Sequence, residues 1–308
     1  MPTNAPGAFQ VAASTQPSGA PVPPATPTRR TCRLCAATGA RLRFTKGGKD
    51  FLRCDACGFV WLDPLPTVAE LEAHYRWTYA EGPYTVFAAA EDVRSLIARE
   101  RLAAVRAALG AGPCLDVGAS TGAFVAAARA DGIDARGIEL SAAAAEAARA
   151  AGLPVDNVRL EDFEPGTPLA AVTAFDTIEH LLDPGALLER AHRWLEPGSA
   201  LALTLPDIGS PAARLLGKRW YFYAPKDHLH YFDGRTIARL LETHGFRIER
   251  IEPAYKPLTL GYVARQIEVF YPPLTPVARL LRTIPSRWLA RTIRVPVGEM
   301  LVVARRDG

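Results

Sequence analysis

Residues 115–124 constrain the fold of this chain more than any other stretch. An apolar run ending at Val117 predicts a short buried strand, and Gly118 and Gly122 predict a tight turn that lets the backbone approach a ligand closely. The alanine-rich residues 123–130 predict a helix. A strand, a glycine turn and a helix in this order form the nucleotide site of open α/β sheets, at the carboxyl end of a strand. We therefore expect an α/β fold with such a site.

The loop also indicates which nucleotide fits. Its pattern, Asp-x-Gly-x-x-x-Gly from Asp116, differs from the dinucleotide and triphosphate fingerprints, and no lysine follows it. Residues 135–140 predict a second strand that brings Glu139 to its end, where a carboxylate can accept both hydroxyls of a ribose. The negative charge of Asp116 favours a cationic ligand over a pyrophosphate. S-Adenosylmethionine, a nucleoside with an ammonium and a sulfonium, meets these demands.

Two further motifs complete a family pattern. Residues 175–181 are Phe-Asp-Thr-Ile-Glu-His-Leu, and residues 196–199 are Glu-Pro-Gly-Ser before another predicted strand. In this order the motifs resemble the class I S-adenosylmethionine-dependent methyltransferases, in the branch with Asp-x-x-Glu-His after the fourth strand (methyltransferase types 11, 12 and 23). The resemblance covers roughly residues 70–305 and departs at Ser120, where the family usually has glycine. It implies a doubly wound, mostly parallel, seven-stranded Rossmann-like sheet.

The resemblance also implies a set of cofactor contacts. They come from the glycine loop and from the ends of the second, third and fourth strands. Leu160 is expected against the adenine ring, and Glu161 near its amino group. The full set is Asp116, Gly118, Ala119, Thr121, Gly122, Glu139, Leu140, Leu160, Glu161, Phe175 and Asp176.

Two Cys-x-x-Cys pairs precede this domain. Cys32 and Cys35 are separated by 18 residues from Cys54 and Cys57. Pairs at this interval predict a structural zinc site, because four thiolates close a tetrahedral site and leave no open position. The alternative is two accidental pairs in a small core. Residues 42–52 between the pairs predict a hairpin, and zinc ribbons of this kind precede the methyltransferase domain in some proteins that the chain resembles.

Composition and motif positions divide the chain into six parts. The first 28 residues hold seven prolines and no charged side chain, which predicts disorder. In similar enzymes the lead-in segment covers the cofactor as a lid; the alternative is that Tyr75, Tyr79 and Tyr84 are surface residues packed on the main domain. The expected parts are a disordered tail (1–30), the zinc ribbon (31–62), a helical lead-in or lid (63–112), the S-adenosylmethionine-binding core (113–254), a basic helical cap (255–296) and the last core strand (297–308).

Two histidines are the candidates for catalytic residues. Methyl transfer needs alignment and, for an OH, NH or acidic CH nucleophile, a proton acceptor. His180 follows the fourth strand, and His228 lies in the aromatic residues 221–232, which resemble the His-Leu-x-x-Phe segment of the family. We expect His228 to act as a general base with His180 at the mouth of the pocket; alternatively, His228 is a structural residue bonded to backbone. Asp227 is expected to cap the following helix.

The segment 255–296 concentrates positive charge. It carries seven Lys or Arg against the single acid Glu268, whereas the whole chain is only +4. Basic residues mixed with apolar ones and Trp288 fit an anionic membrane surface, RNA or a phosphate-bearing substrate. A helical cap with a solvated basic face is the alternative. The seven are Lys256, Arg265, Arg279, Arg282, Arg287, Arg291 and Arg294.

Composition narrows the function classes. A net charge of +4 argues against a broad nucleic-acid footprint, and no apolar run approaches the roughly 18 residues of a transmembrane helix. No signal peptide is evident, and paired cysteines fit a reducing compartment, so a cytoplasmic protein is expected.

Three functions remain open. The first is a methyltransferase for a small-molecule or glycan- or lipid-related acceptor, and the second is an RNA methyltransferase with a zinc ribbon for substrate recognition. The chain lacks the Asn/Asp-Pro-Pro-Tyr tetrapeptide, which weakens one class of RNA enzymes. The third is a zinc-ribbon interaction protein without activity, against which the intact Asp116, Gly118, Gly122 and Glu139 argue. The acceptor atom (O, N or C) is not specified by the sequence.

Overall fold

The computed structural model describes residues 30–80, 91–270, 274–283, 286–289 and 291–308. Apart from Arg30, the predicted tail lies outside the described residues, as does Tyr84. The strands are β1 (Ala40–Lys46), β2 (Lys49–Cys54), β3 (Val60–Asp63), β4 (Cys114–Val117), β5 (Ala135–Glu139), β6 (Val155–Asn157), β7 (Leu169–Phe175), β8 (Leu195–Pro206), β9 (His230–Tyr231), β10 (Phe246–Thr259) and β11 (Thr292–Arg306).

The α-helices of the described residues alternate with the later strands. They are α1 (Val68–Ala80), α2 (Glu91–Val105), α3 (Ala123–Ala130), α4 (Ala142–Ala150), α5 (Pro184–Trp194), α6 (Pro211–Leu216), α7 (Gly234–Thr243), α8 (Leu260–Phe270), α9 (Thr275–Arg282) and α10 (Ser286–Leu289).

Seven strands form the main sheet, in the order β6-β5-β4-β7-β8-β11-β10. The first five are parallel neighbours, and β11 pairs antiparallel with both β8 and β10. Every residue of β4 is buried, because the strand lies in the middle of the sheet. The prediction of a mostly parallel, doubly wound seven-stranded sheet is confirmed.

Helices cover both faces of this sheet. Alternate side chains of β7 point to opposite faces, so Val172 belongs to one buried cluster and Ala171 to another. The cluster around Val172 includes Leu188 of α5 and Leu240 of α7. The cluster around Ala171 includes Leu102 of α2, with side chains of α3 and α4. The carboxyl ends of the parallel strands remain free to form a site between these layers.

A small antiparallel sheet, β1-β2-β3-β9, holds the four cysteines. The hairpin predicted between the cysteine pairs is present, with its turn at Gly47 and Gly48. Its last strand comes from the segment after the core strand β8: Trp61 pairs with His230, and Val60 with Tyr231. The cysteine module is therefore joined by backbone hydrogen bonds to the histidine-containing segment of the main domain.

Local capping signals explain several helix ends. A capping box precedes α1, because Glu70 N donates to Thr67 Oγ1 at 3.2 Å and Thr67 N donates to Glu70 Oε2 at 2.8 Å. The predicted cap at Asp227 is wrong. Asp233 caps α7 by accepting from Thr236 N at 2.9 Å, and Asp227 instead pairs with a histidine of α1.

The basic segment begins and ends as strand. β10 runs through Thr259 and β11 starts at Thr292, so the two strands continue as a pair beyond the core, and α8, α9 and α10 lie between them. Leu258 at this extension packs with Val93 and Ile97 of α2. The extension and α2 thereby form one wall beside the carboxyl ends of the sheet.

Candidate active site

The glycine loop after β4 has a shape that only small residues permit. Gly118 and Gly122 have φ of 76° and 78°, in the left-handed region. A Cβ on Gly118 would lie 2.5 Å from Thr177 Oγ1, and one on Gly122 would lie 2.7 Å from Leu153 Cδ1. Ser120, at the position where the family usually has glycine, also has a positive φ, 51°. The loop thus turns tightly under the edge of the cavity described below.

Glu139 ends β5 with both carboxylate oxygens held in place. Oε2 accepts from Ser120 N at 2.8 Å, and Oε1 accepts from Ser141 N at 2.7 Å. Burial raises the pKa of Glu139, and these backbone donors favour its charged form. Each oxygen has a further lone pair, so the oriented carboxylate can still accept two hydroxyl groups.

Asp116 lies beneath the loop, almost fully buried. Thr173 Oγ1 donates to Asp116 Oδ1 at 2.7 Å. Burial raises the pKa of Asp116 to about 7, although the hydrogen bond from Thr173 and the charge of Arg101 oppose the rise. A cation bound nearby would favour the ionised form of this carboxyl.

Asp176 belongs to a four-residue ionic network that sequence reasoning missed. Its Oδ2 contacts Arg101 of α2 and Lys256 of β10, the latter at 3.3 Å, while Oδ1 accepts from Thr204 Oγ1 at 2.8 Å. Lys256 also contacts Glu299 at 2.5 Å. Despite its burial, these cations hold the pKa of Asp176 well below its usual range. The network thus contains two acidic and two basic side chains. A contact between Asp176 and the cofactor stays a prediction.

Two histidines and a glutamate come together next to this network. The ring centroids of His180 and His228 are 4.7 Å apart. His228 Nδ1 donates to Phe222 O at 2.8 Å, which leaves Nε2 as an acceptor, and burial, reinforced by His180, lowers the pKa of His228 to about 3. Glu179 is 1% exposed, and burial raises its pKa. The sequence motif contained Glu179, but only the fold shows its proximity to His228.

One cavity of about 1220 Å³ joins the predicted sites. Its wall also includes Tyr75 of α1, as well as Arg101 and Lys256 of the ionic network. Gly122 is absent from the wall and acts as part of the turn beneath it. A lid role for Tyr75 stays a prediction. The predicted residues that line the cavity are Asp116, Gly118, Ala119, Thr121, Glu139, Leu140, Leu160, Glu161, Phe175, Asp176, His180 and His228.

The four cysteine sulfurs form a compact cluster in the small sheet. Sγ of Cys32 lies 3.7 Å from Sγ of Cys57, and Sγ of Cys35 lies 3.7 Å from Sγ of Cys54. Sulfurs bound at 2.3 Å around a tetrahedral zinc ion are about 3.8 Å apart. Backbone N–H groups of Leu34 and Cys57 also point at two of the sulfurs, as thiolates require. The donor set therefore fits a structural zinc ion.

The strand order, the glycine loop after β4 and the acid that ends β5 define a class I S-adenosylmethionine-dependent methyltransferase. Residues 89–251, more than half of the chain, match the profile of a family described as "Methyltransferase domain". The chain belongs to this family and is an S-adenosylmethionine-dependent methyltransferase, which confirms the sequence-based prediction.

Solved structures share the fold at low sequence identity. A methyltransferase from Thermotoga maritima, described as a possible histamine N-methyltransferase, is 19% identical with a TM-score of 0.51, over 75% of this chain and 100% of that one. An Archaeoglobus fulgidus S-adenosylmethionine-dependent methyltransferase is 18% identical with a TM-score of 0.51, over 73% and 100% of the two chains.

A third similar structure is the Burkholderia thailandensis 1,6-didemethyltoxoflavin-N1-methyltransferase, with its substrate and S-adenosylhomocysteine bound. It is 16% identical with a TM-score of 0.51, over 87% of this chain and 100% of that one. No curated protein matches the chain. Among the described residues, no helix is both long and apolar enough to span a membrane.

Proposed function

We propose that the enzyme transfers the methyl group of S-adenosylmethionine to a small-molecule acceptor, free or linked to a glycan or lipid. The observation that carries this proposal is the single cavity, which has the glycine loop and Glu139 in one part of its wall and His180, His228 and Tyr75 in another. At about 1220 Å³ it exceeds the 300–1,000 Å³ typical of sites for one small ligand, so it has room for cofactor and acceptor together.

The cofactor half follows from the residues around the loop. Glu139 accepts the ribose hydroxyls, Leu160 and Glu161 contact the adenine, and Asp116 provides negative charge for the cationic methionine part. Ala119, Thr121 and Leu140 complete the walls. The orientation of Glu139 by two backbone donors supports this placement, because a preset acceptor pair loses little entropy on binding.

The acceptor half contains the groups that could assist the reaction. The nucleophile forms a bond to the methyl carbon as the carbon–sulfur bond breaks, and S-adenosylhomocysteine leaves uncharged. Neutral His228 offers the lone pair of Nε2, supported by the hydrogen bond from Nδ1 to Phe222 O. His180 lies against it. A general base here would serve an OH, NH or acidic CH acceptor.

A methyl-donor assay over a panel of sugars, lipids and RNA tests this function. We expect turnover with a small hydroxyl- or amine-bearing compound and formation of S-adenosylhomocysteine in equal amount. Methylation of RNA alone, together with co-purified RNA seen in the absorbance ratio, would refute the small-molecule assignment. Calorimetry with S-adenosylmethionine alone tests the cofactor half separately.

We also propose a structural zinc ion held by Cys32, Cys35, Cys54 and Cys57. The sulfur spacing and the backbone donors toward two sulfurs support it. The ion would stabilise the small sheet, to which β9 contributes a strand from the main domain.

Peripheral contact with an anionic membrane surface is proposed for the basic segment. Val277 and Leu280 of α9 are 50% and 69% exposed, and Trp288 of α10 is 41% exposed. Arg279 and Arg282 lie on the same short helix α9. Exposed apolar side chains next to basic ones are the composition that adsorbs to anionic lipid.

A further inference from the structure

Glu179 is a buried carboxylate without a hydrogen-bond partner among the described residues. Neither Oε1 nor Oε2 has one, and the same holds for Nδ1 of His180 next to it. Burial of a carboxyl group without a hydrogen-bond partner is unfavourable, so a native structure that keeps one requires an explanation. The two unpartnered groups are adjacent in the chain and face the same cavity.

The neighbouring charges do not neutralise Glu179. Lys256 is a cation that acts on Glu179, and it is already paired with Asp176 and Glu299, while Arg101 is paired with Asp176. This network already contains equal numbers of acids and bases. Burial raises the pKa of Glu179, and neither of its carboxyl oxygens gains a hydrogen-bond partner from this network.

The backbone holds Glu179, His180 and His228 in one constellation. Glu179 O accepts from Leu229 N at 2.9 Å, which ties the loop of His228 to the turn after β7. His180 N donates to Thr177 O at 3.0 Å within that turn. One ligand atom from each of the three side chains lies within 4.8 Å of the other two.

We propose that Glu179, His180 and His228 bind one divalent transition-metal ion inside the cavity. Ligands bound at 2.0–2.2 Å around a tetrahedral ion are about 3.4 Å apart, and the ligand atoms of these three side chains already lie within 4.8 Å of one another. The hydrogen bond from His228 Nδ1 to Phe222 O is the support that metal-bound histidines usually have. The ion would pair with the unpartnered carboxylate of Glu179.

Two imidazoles and one carboxylate select the kind of ion. Imidazole ligands favour Fe²⁺, Co²⁺, Ni²⁺ or Zn²⁺ over Mg²⁺ and Ca²⁺, which prefer oxygen ligands, and the carboxylate makes the mixed site able to bind Mn²⁺ as well. Three protein ligands leave a position open, as in catalytic metal sites and unlike the closed four-cysteine site. The two metal sites of this chain would therefore differ in both chemistry and role.

The consequence for catalysis rests on the proposed function. In its open coordination position the ion would bind a hydroxyl oxygen of the acceptor. The acceptor would therefore be a hydroxyl compound, and a second oxygen next to that hydroxyl could also bind the ion. The ion lowers the pKa of the bound hydroxyl, whose proton passes to water. The resulting oxygen anion attacks the methyl carbon, the carbon–sulfur bond breaks, and its electron pair leaves with S-adenosylhomocysteine. His228 would then act as a ligand instead of a base.

Manganese alone is the probe that separates the two metal sites. The full chain is first loaded with one equivalent of zinc, which the four thiolates bind in preference so that the second site stays free, and Mn²⁺ is then titrated while free Mn²⁺ is followed by electron paramagnetic resonance. We expect one Mn²⁺ per wild-type chain, and weakening of about 10-fold or more in Glu179→Gln and His228→Ala. His74→Asn, which changes another histidine of the cavity wall that lies outside the cluster, is the matched control and should keep the wild-type affinity.

Thermal melting distinguishes loss of the site from loss of the fold. Mn²⁺ should raise the melting temperature of wild type and His74→Asn but not of Glu179→Gln, since only a native-state site stabilises by binding. Glu179→Gln should itself fold, because the amide is uncharged and has nearly the same size and shape as the carboxyl group that it replaces. Equal Mn²⁺ affinity in wild type and Glu179→Gln, or no binding to wild type, overturns the metal proposal. Cofactor calorimetry is independent of it and reports on the proposed function alone.

Discussion

Replacing Glu139 with alanine tests how the cofactor is held. The carboxylate has each oxygen fixed by one backbone N–H, from Ser120 and Ser141, and each oxygen keeps a lone pair for a ribose hydroxyl. A hydrogen bond to a charged group contributes about 1.5–3 kcal/mol. Water in the cavity can replace part of the lost pair, so we expect a loss in this range, which raises Kd by about 10- to 150-fold.

Isothermal titration calorimetry with S-adenosylmethionine measures this change. Glu139→Gln keeps one acceptor oxygen and should fall between wild type and Glu139→Ala. Glu146→Ala, on the exposed face of α4, is the matched control for removing a glutamate and should leave Kd unchanged. Thermal melting of each variant verifies the fold. A Glu139→Ala protein that melts like wild type and binds the cofactor within about twofold of it would show that another group holds the ribose.

The remaining predictions concern metal, pH and salt. Elemental analysis should find one zinc per chain after reduction, and Cys35→Ser should lower the melting temperature while calorimetry still shows cofactor binding; zinc-free folded protein would contradict this. Because burial raises the pKa of Asp116 to about 7, cofactor affinity should increase from pH 6 to 8 as the carboxylate ionises, and Asp116→Asn should lose that dependence; a profile unchanged by the substitution would exclude Asp116 as its source. The same raised pKa means that this group contributes less stability as pH rises from about 4 to 7, because the native state then binds more protons than the unfolded state. Wild type should co-sediment with anionic liposomes at low salt and dissociate toward 1 M, where screening acts within roughly 3 Å, and Arg279→Glu with Arg282→Glu should bind weakly throughout; equal binding independent of salt would exclude these arginines as the lipid contact.

Long-range partners explain why part of the site could not be predicted. Arg101 lies in a charged helix and Lys256 in the basic segment, and nothing in their local sequence distinguishes them from solvated residues. They meet Asp176 only because α2 and the extension of β10 pack beside the carboxyl end of β7. The prediction that Asp227 caps the following helix was wrong because of another long-range partner. Asp233 forms the capping box of α7, and Asp227 pairs with His74, which is distant in the sequence.

The sequence by itself determined the features that depend on local geometry. A positive φ at Gly118 and Gly122, an acid at the end of β5, and cysteine pairs at metal-binding spacing each follow from a few consecutive residues. The alternation of strands and helices determined the parallel sheet in the same way. Only the tertiary structure decided that β9 joins the cysteine-bearing sheet and that Glu179 lies beside His228. Such contacts form between segments that are far apart in the chain. Burial and backbone pairing in the complete fold select these partners, and the local sequence pattern does not predict them.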